Sequence, residues 1–246
     1  AGTGSETDAG TVVTNEETHE KIGFGMDEMY PVIAVVDPEL MRTVPPALTA
    51  YQGFDALFHS VEGYISKAAN PMSDMLAITA IENIGRNLAD AVRNGDNLDA
   101  REKVAFGSTL SGMVMCVGAC TSQHALEHAM SAYHQNLPHG AGLIMVSRAY
   151  FTHFVEAHVC DGRFVRMAQA MGATDAKEPM DFIRALVRLQ EECGVASLKM
   201  SDYGIKPEEF GSLADNARST MGGLFWCDRQ EMTREDCIAV YRDSYR

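Results

Sequence analysis

Met72-Ser73-Asp74-Met75-Leu76-Ala77-Ile78-Thr79-Ala80-Ile81-Glu82-Asn83-Ile84-Gly85-Arg86-Asn87-Leu88 carries Met75, Ile78, Ile81, Ile84 and Leu88 at helical spacing, an apolar stripe on one helix face. The pattern runs to Val92 and stops before the turn pair Asn94-Gly95. The same period extends in both directions. A helix is predicted over 47–66, just after Pro45-Pro46, and another over 98–120, nearly apolar beyond Lys103 and so buried on most faces. Further helices are predicted over 121–132, 141–158, 162–171, 179–192, 207–219 and 233–245. Upstream the pattern changes: the β-branched runs 11–14, 21–24 and 32–37 are bounded by turn residues and read as three short strands. The predicted fold is mainly α, with strands in 1–40 ahead of an all-helical unit in 41–246.

The chain has 246 residues, enough for one large domain or two small ones, and its 46% apolar and 22% charged residues are those of a globular protein. A formal charge of −14 repels phosphate backbones and argues against a nucleic-acid partner. No apolar run reaches the roughly 18 residues needed to span a bilayer, so no membrane association is expected. The six cysteines form no Cys-x-x-Cys pair and read as reduced, mostly buried thiols of a cytoplasmic protein. Cys116 and Cys120, in the most apolar helix, are assigned to the core.

Polar residues in three places carry chemistry. Asp55 and His59 stand one turn apart on a helix whose other neighbours are apolar, either as a simple Asp–His pair or as two ligands of a metal. His124-Ala125-Leu126-Glu127-His128 again stacks two imidazoles on one face; read literally it is the His-x-x-Glu-His pattern of a zinc peptidase with Glu127 as base. Pro138-His139-Gly140 brings a third imidazole to a helix start. One carboxylate and imidazoles from three helices suit Fe, Zn, Mn, Ni or Co. Phe54, Phe58, Tyr64, Phe151 and Phe225 offer apolar surface for a small substrate or for core packing.

Gly53-Phe54-Asp55-Ala56-Leu57-Phe58-His59, Glu62-Gly63-Tyr64, His124-x-x-x-His128 and Leu137-Pro138-His139-Gly140 together resemble the iron-containing (group III) alcohol dehydrogenases. The resemblance covers the whole chain. It implies a dehydroquinate synthase-like C-terminal helical domain behind the last strands of an α/β nucleotide domain. It also implies interconversion of a small alcohol and its aldehyde or ketone with NAD or NADP, and a homodimer. On the matching positions it assigns Asp55, His59, His124 and His139 to a divalent metal, Fe2+ or Zn2+. It makes His128 a catalytic histidine near nicotinamide and substrate. The opening Ala1-Gly2-Thr3-Gly4-Ser5-Glu6 resembles part of a nucleotide-binding segment, with Thr3, Lys21 and Leu40 at cofactor positions. The family's Gly-rich pyrophosphate loop would precede Ala1, and Asp228-Arg229 stands where the family carries Asn-Pro-Arg. The chain by itself is therefore expected not to transfer hydride, with its first forty residues disordered, rearranged or covered by another chain. The competing readings are a metal-binding helical fragment without catalysis and the zinc peptidase.

Overall fold

Asparagine, threonine and proline set where the helices begin. In the computed structural model, which describes residues 2–246, Pro46 opens α1 (Pro46–Ile65), where its fixed φ suits the first helical turn. Asn70 caps α2 (Pro71–Arg93): its side chain accepts from the Met72 and Ser73 N–H groups, and Ser73 Oγ accepts from Asn70 N–H. Asn97 caps α3 (Leu98–Val117) by accepting from Ala100 N–H. There follow α4 (Ser122–Tyr133), α5 (His139–Glu156), α6 (Asp161–Ala170), α7 (Met180–Glu192), α8 (Phe210–Thr220), α9 (Gly222–Trp226) and α10 (Arg234–Ser244), the last opened by a Thr233–Asp236 capping box. All the predicted helices are present within a few residues. The short α9 was not predicted, because Gly222-Gly223 reads as a turn.

α1, α2 and α3 pack on one another, α5 packs against α1 and α4, and α8 and α10 close the far side. Phe54, Phe58 and Phe151 are fully buried in this core, so of their two readings core packing holds. No single helix among the described residues is long and apolar enough to cross a membrane, and α3 meets α4 at a 104° bend.

Two of the three predicted strands form. β1 (Gly10–Asn15) and β2 (Glu20–Gly25) pair antiparallel, with Val12 opposite Gly23. Residues 32–37 form no strand: Val32, Ile33 and Val35 are 98%, 80% and 79% exposed. β-branched residues favour strands through their neighbours on a sheet, and this run has no neighbouring strand. The hairpin itself is folded onto α4 and α8, so of the three expected outcomes disorder does not describe it. His19 stacks on Tyr133 with ring centroids 4.4 Å apart, Asn216 Nδ2 donates to the His19 carbonyl, and Gly23 N–H points to Met221 Sδ. Ahead of it, Gly4 has φ +94° and lies on the backbone of Gly112 in α3, where a side chain on either residue would collide. Thr7 Oγ1 ties this turn to the Thr109 carbonyl at 3.1 Å. Ala1 lies outside the described residues.

The loop before α10 holds α1 and α4 together. Arg229 donates to the carbonyls of Ile65 and Ser66 at the end of α1. Asp228, fully buried, accepts from Ser122 N–H at the start of α4 (3.0 Å) and from Tyr150 Oη (3.2 Å). Burial pushes its carboxyl up to about 7, against the hydrogen bonds from Ser122 and Tyr150 that lower it. Between about pH 4 and 7 the folded chain then holds a proton that the unfolded chain has released. Asp228 therefore makes stability fall as pH rises through that window, by about 4 kcal/mol at most. Asp228→Asn removes this contribution. Thermal unfolding at pH 5 and pH 8, with chelator present, is expected to show a smaller fall for the variant than for the parent; equal falls contradict the assignment.

Candidate metal centre

α1 supplies Asp55 and His59, α4 supplies His124 and His128, and the first residue of α5 is His139. The three helices bring all five together. Asp55 Oδ1 lies 3.3 Å from His124 Nε2, 3.4 Å from His139 Nε2 and 3.7 Å from His59 Nε2. The rings of His59 and His124 stack at 4.7 Å, and His139 stands 5.4 Å from His124. Gly140 lets the start of α5 approach, because a side chain there would meet the Tyr51 carbonyl of α1.

The outward nitrogens are already engaged. His59 Nδ1 bonds to the Thr3 carbonyl at 3.0 Å. His124 Nδ1 pairs with Glu62 Oε1, and His139 Nδ1 with Glu127 Oε2. Both glutamates are fully buried. Glu62 Oε2 also accepts from the Thr121 N–H and hydroxyl, each at 2.9 Å. An imidazole whose Nδ1 is held this way turns Nε2 and its lone pair inward, the arrangement that supports metal-bound histidines. Three Nε2 atoms thus converge on one carboxylate, and this donor set fits a divalent Lewis-acid metal. Sequence reasoning gave Glu62 no role and Glu127 only a peptidase role. Their partners lie 62 and 12 positions away, beyond any local motif.

Burial and charge oppose one another here. Burial works against the Asp55 carboxylate, but His59 and His139 hold it well below the usual carboxylate range. Burial likewise opposes charge on Glu127, yet His139 and Lys21 bring it down to about 2. Burial pushes His128 well below its ordinary value, so its ring is neutral at neutral pH. His128 Nδ1 is buried without a hydrogen-bond partner.

The other residues with expected roles are spread out. A cavity of about 540 Å³ opens onto the cluster, and Thr3 lines it together with His128, Val12, Phe24, Met221 and Leu224. Lys21 turns instead toward α4, with Nζ 2.7 Å from Ser131 Oγ and 3.4 Å from Glu127. Leu40 borders a separate cavity of about 270 Å³ beside Arg101. Cys120 is buried as assigned and also borders the larger cavity, and burial raises its thiol to about 11, whereas Cys116 is exposed, which corrects its assignment to the core.

Residues 49–245 match the model of the Fe-containing alcohol dehydrogenase family, C-terminal. The chain is 36% identical over 252 residues to 1,3-propanediol dehydrogenase of Citrobacter freundii, covering all of this chain and 63% of that protein. It is 31% identical over 227 residues to the NAD-dependent methanol dehydrogenase of Bacillus methanolicus, covering 88% of this chain and 57% of that one. Among solved structures it superposes on the archaeal halo-thermophilic Red Sea brine pool alcohol dehydrogenase ADH/D1, with a TM-score of 0.93 and 30% identity over 99% of this chain and 62% of that one. The chain spans about 63% of the length of the curated relatives it matches over its full extent. The family model covers most of the residues that build the metal-type cluster, and the fold agrees throughout: the chain belongs to the iron-containing alcohol dehydrogenase family.

Proposed function

We propose that these residues form the metal-binding part of an NAD(P)-dependent alcohol dehydrogenase, with one divalent metal held by Asp55, His59, His124 and His139. The observation that carries the reading is the set of three imidazoles whose Nδ1 atoms are engaged and whose Nε2 atoms lie within 3.7 Å of Asp55. Fe2+ agrees with the family name, and Zn2+ fits the same donors. NAD is favoured by the NAD dependence of the Bacillus methanolicus methanol dehydrogenase to which the chain is similar. Dehydrogenase activity is proposed for the protein that contains these residues.

When bound, the metal supplies Lewis acidity toward an alcohol oxygen and the nicotinamide supplies the hydride acceptor. The chain does the rest. Val12, Phe24 and Leu224 give the cavity an apolar wall suited to a short alcohol carbon chain. Glu62, Glu127 and the Thr3 carbonyl fix the histidine rings. His128, neutral and lining the same cavity, is placed to hydrogen-bond the alcohol hydroxyl. The peptidase reading is weaker, because Glu127 points at His139 and Lys21 and so is not free to activate a water.

One metal per chain is expected. Elemental analysis should find His124→Ala without metal and His128→Ala with it. If losing His128 strips the metal as completely as losing His124, the His-x-x-Glu-His pairing gains the advantage. Glu62→Gln keeps the size of the side chain and removes the charge behind His124. It should weaken metal affinity roughly 10- to 100-fold, measured by competition with a chromophoric chelator, with little change in the helical circular dichroism. An unchanged affinity would remove Glu62 from the site.

A further inference from the structure

Cys120 stands in the linker between α3 and α4, four residues before His124 and 4% exposed. Donor atoms of Cys120, His59 and His124 all lie within 4.8 Å of one another. Asp55 faces the same two histidines at 3.7 and 3.3 Å. The cluster therefore contains two overlapping donor sets. One is the proposed site of Asp55, His59, His124 and His139; the other is the triad of His59, His124 and the Cys120 sulfur.

These sets differ in softness. Carboxylate and imidazole suit Fe2+ and Mn2+, whereas a thiolate draws Zn2+ and Co2+. We infer that Cys120 is an alternative ligand that takes thiophilic divalent metals at a position shared with, and shifted from, the site closed by His139. Binding there replaces the Cys120 S–H bond by a sulfur–metal bond, and the proton leaves to solvent. Because His59 and His124 serve both positions, one metal excludes the other. Cys120 is then a determinant of which metal the protein retains. Cys116 has no part in this: its Sγ points to the Thr7 carbonyl and it is exposed.

This inference rests on the metal reading above, and the test separates the two. Apoprotein prepared with a chelator is titrated in parallel with Co2+ and Mn2+. The parent chain is expected to give a sulfur-to-cobalt charge-transfer band in the near ultraviolet. Cys120→Ser and, as a second variant with no oxygen donor, Cys120→Ala should lose that band. Both should bind Co2+ about tenfold or more weakly while Mn2+ affinity stays within about threefold. His139→Ala should keep the band. One Co2+ per parent chain without the band overturns the role of Cys120 and leaves the proposed metal site standing. Failure of the parent to bind either ion overturns both.

Discussion

The Asp55 carboxylate is buried with three imidazole nitrogens within 3.7 Å of one of its oxygens. An isolated carboxylate in that position costs several kcal/mol, about the size of a domain's whole stability margin. It is tolerable only if α1, α4 and α5 meet at that point with their histidines turned inward. The meeting in turn requires partners for the backs of the rings, and Glu62 and Glu127 are buried for that purpose. Further anchors follow: Thr121 beneath Glu62, and Asp228 at the start of α4. The polar network thus extends from one side chain through most of the helix contacts around the cavity.

Such a network places charge where it cannot relax. Two fully buried glutamates, one buried aspartate and four imidazoles share a small volume, and the titration of Asp55, Glu127 and His128 is set by their charged neighbours as well as by burial. The same crowding explains why Lys21 reaches across from the hairpin to Glu127. Lys21 thus belongs to the electrostatics of the histidine cluster.

Much of this was legible in the sequence. The helices announce themselves through apolar periodicity and through caps such as Asn70, Asn97 and Thr233, which act within three residues. Helical spacing pairs Asp55 with His59 and His124 with His128, and only the family resemblance added His139 and set His128 apart from the proposed ligands. What escaped depends on partners distant in the chain. Residues 32–37 have strand composition but no strand beside them. Glu62 looked like an ordinary helical glutamate until α4 folded over it. Cys120 is buried as its apolar surroundings suggest, but its closeness to His59 and His124 depends on how α1 and α4 pack and is not visible in its local sequence. Phe54, Phe58 and Phe151 show the converse: aromatic residues near ligand positions are there to pack the core.

The bond from His59 to the Thr3 carbonyl joins residues 56 positions apart and crosses from the opening turn to the bundle. Its geometry depends on Gly4 lying against Gly112. A fragment begun at Pro46 would keep every helix and all four proposed ligands. It would nevertheless leave the His59 ring free to rotate and to choose its tautomer. Three donors would be set by folding and the fourth would have to be ordered by the metal itself. The boundary of the helical unit as a folding body and its boundary as a binding body therefore fall at different places in the chain.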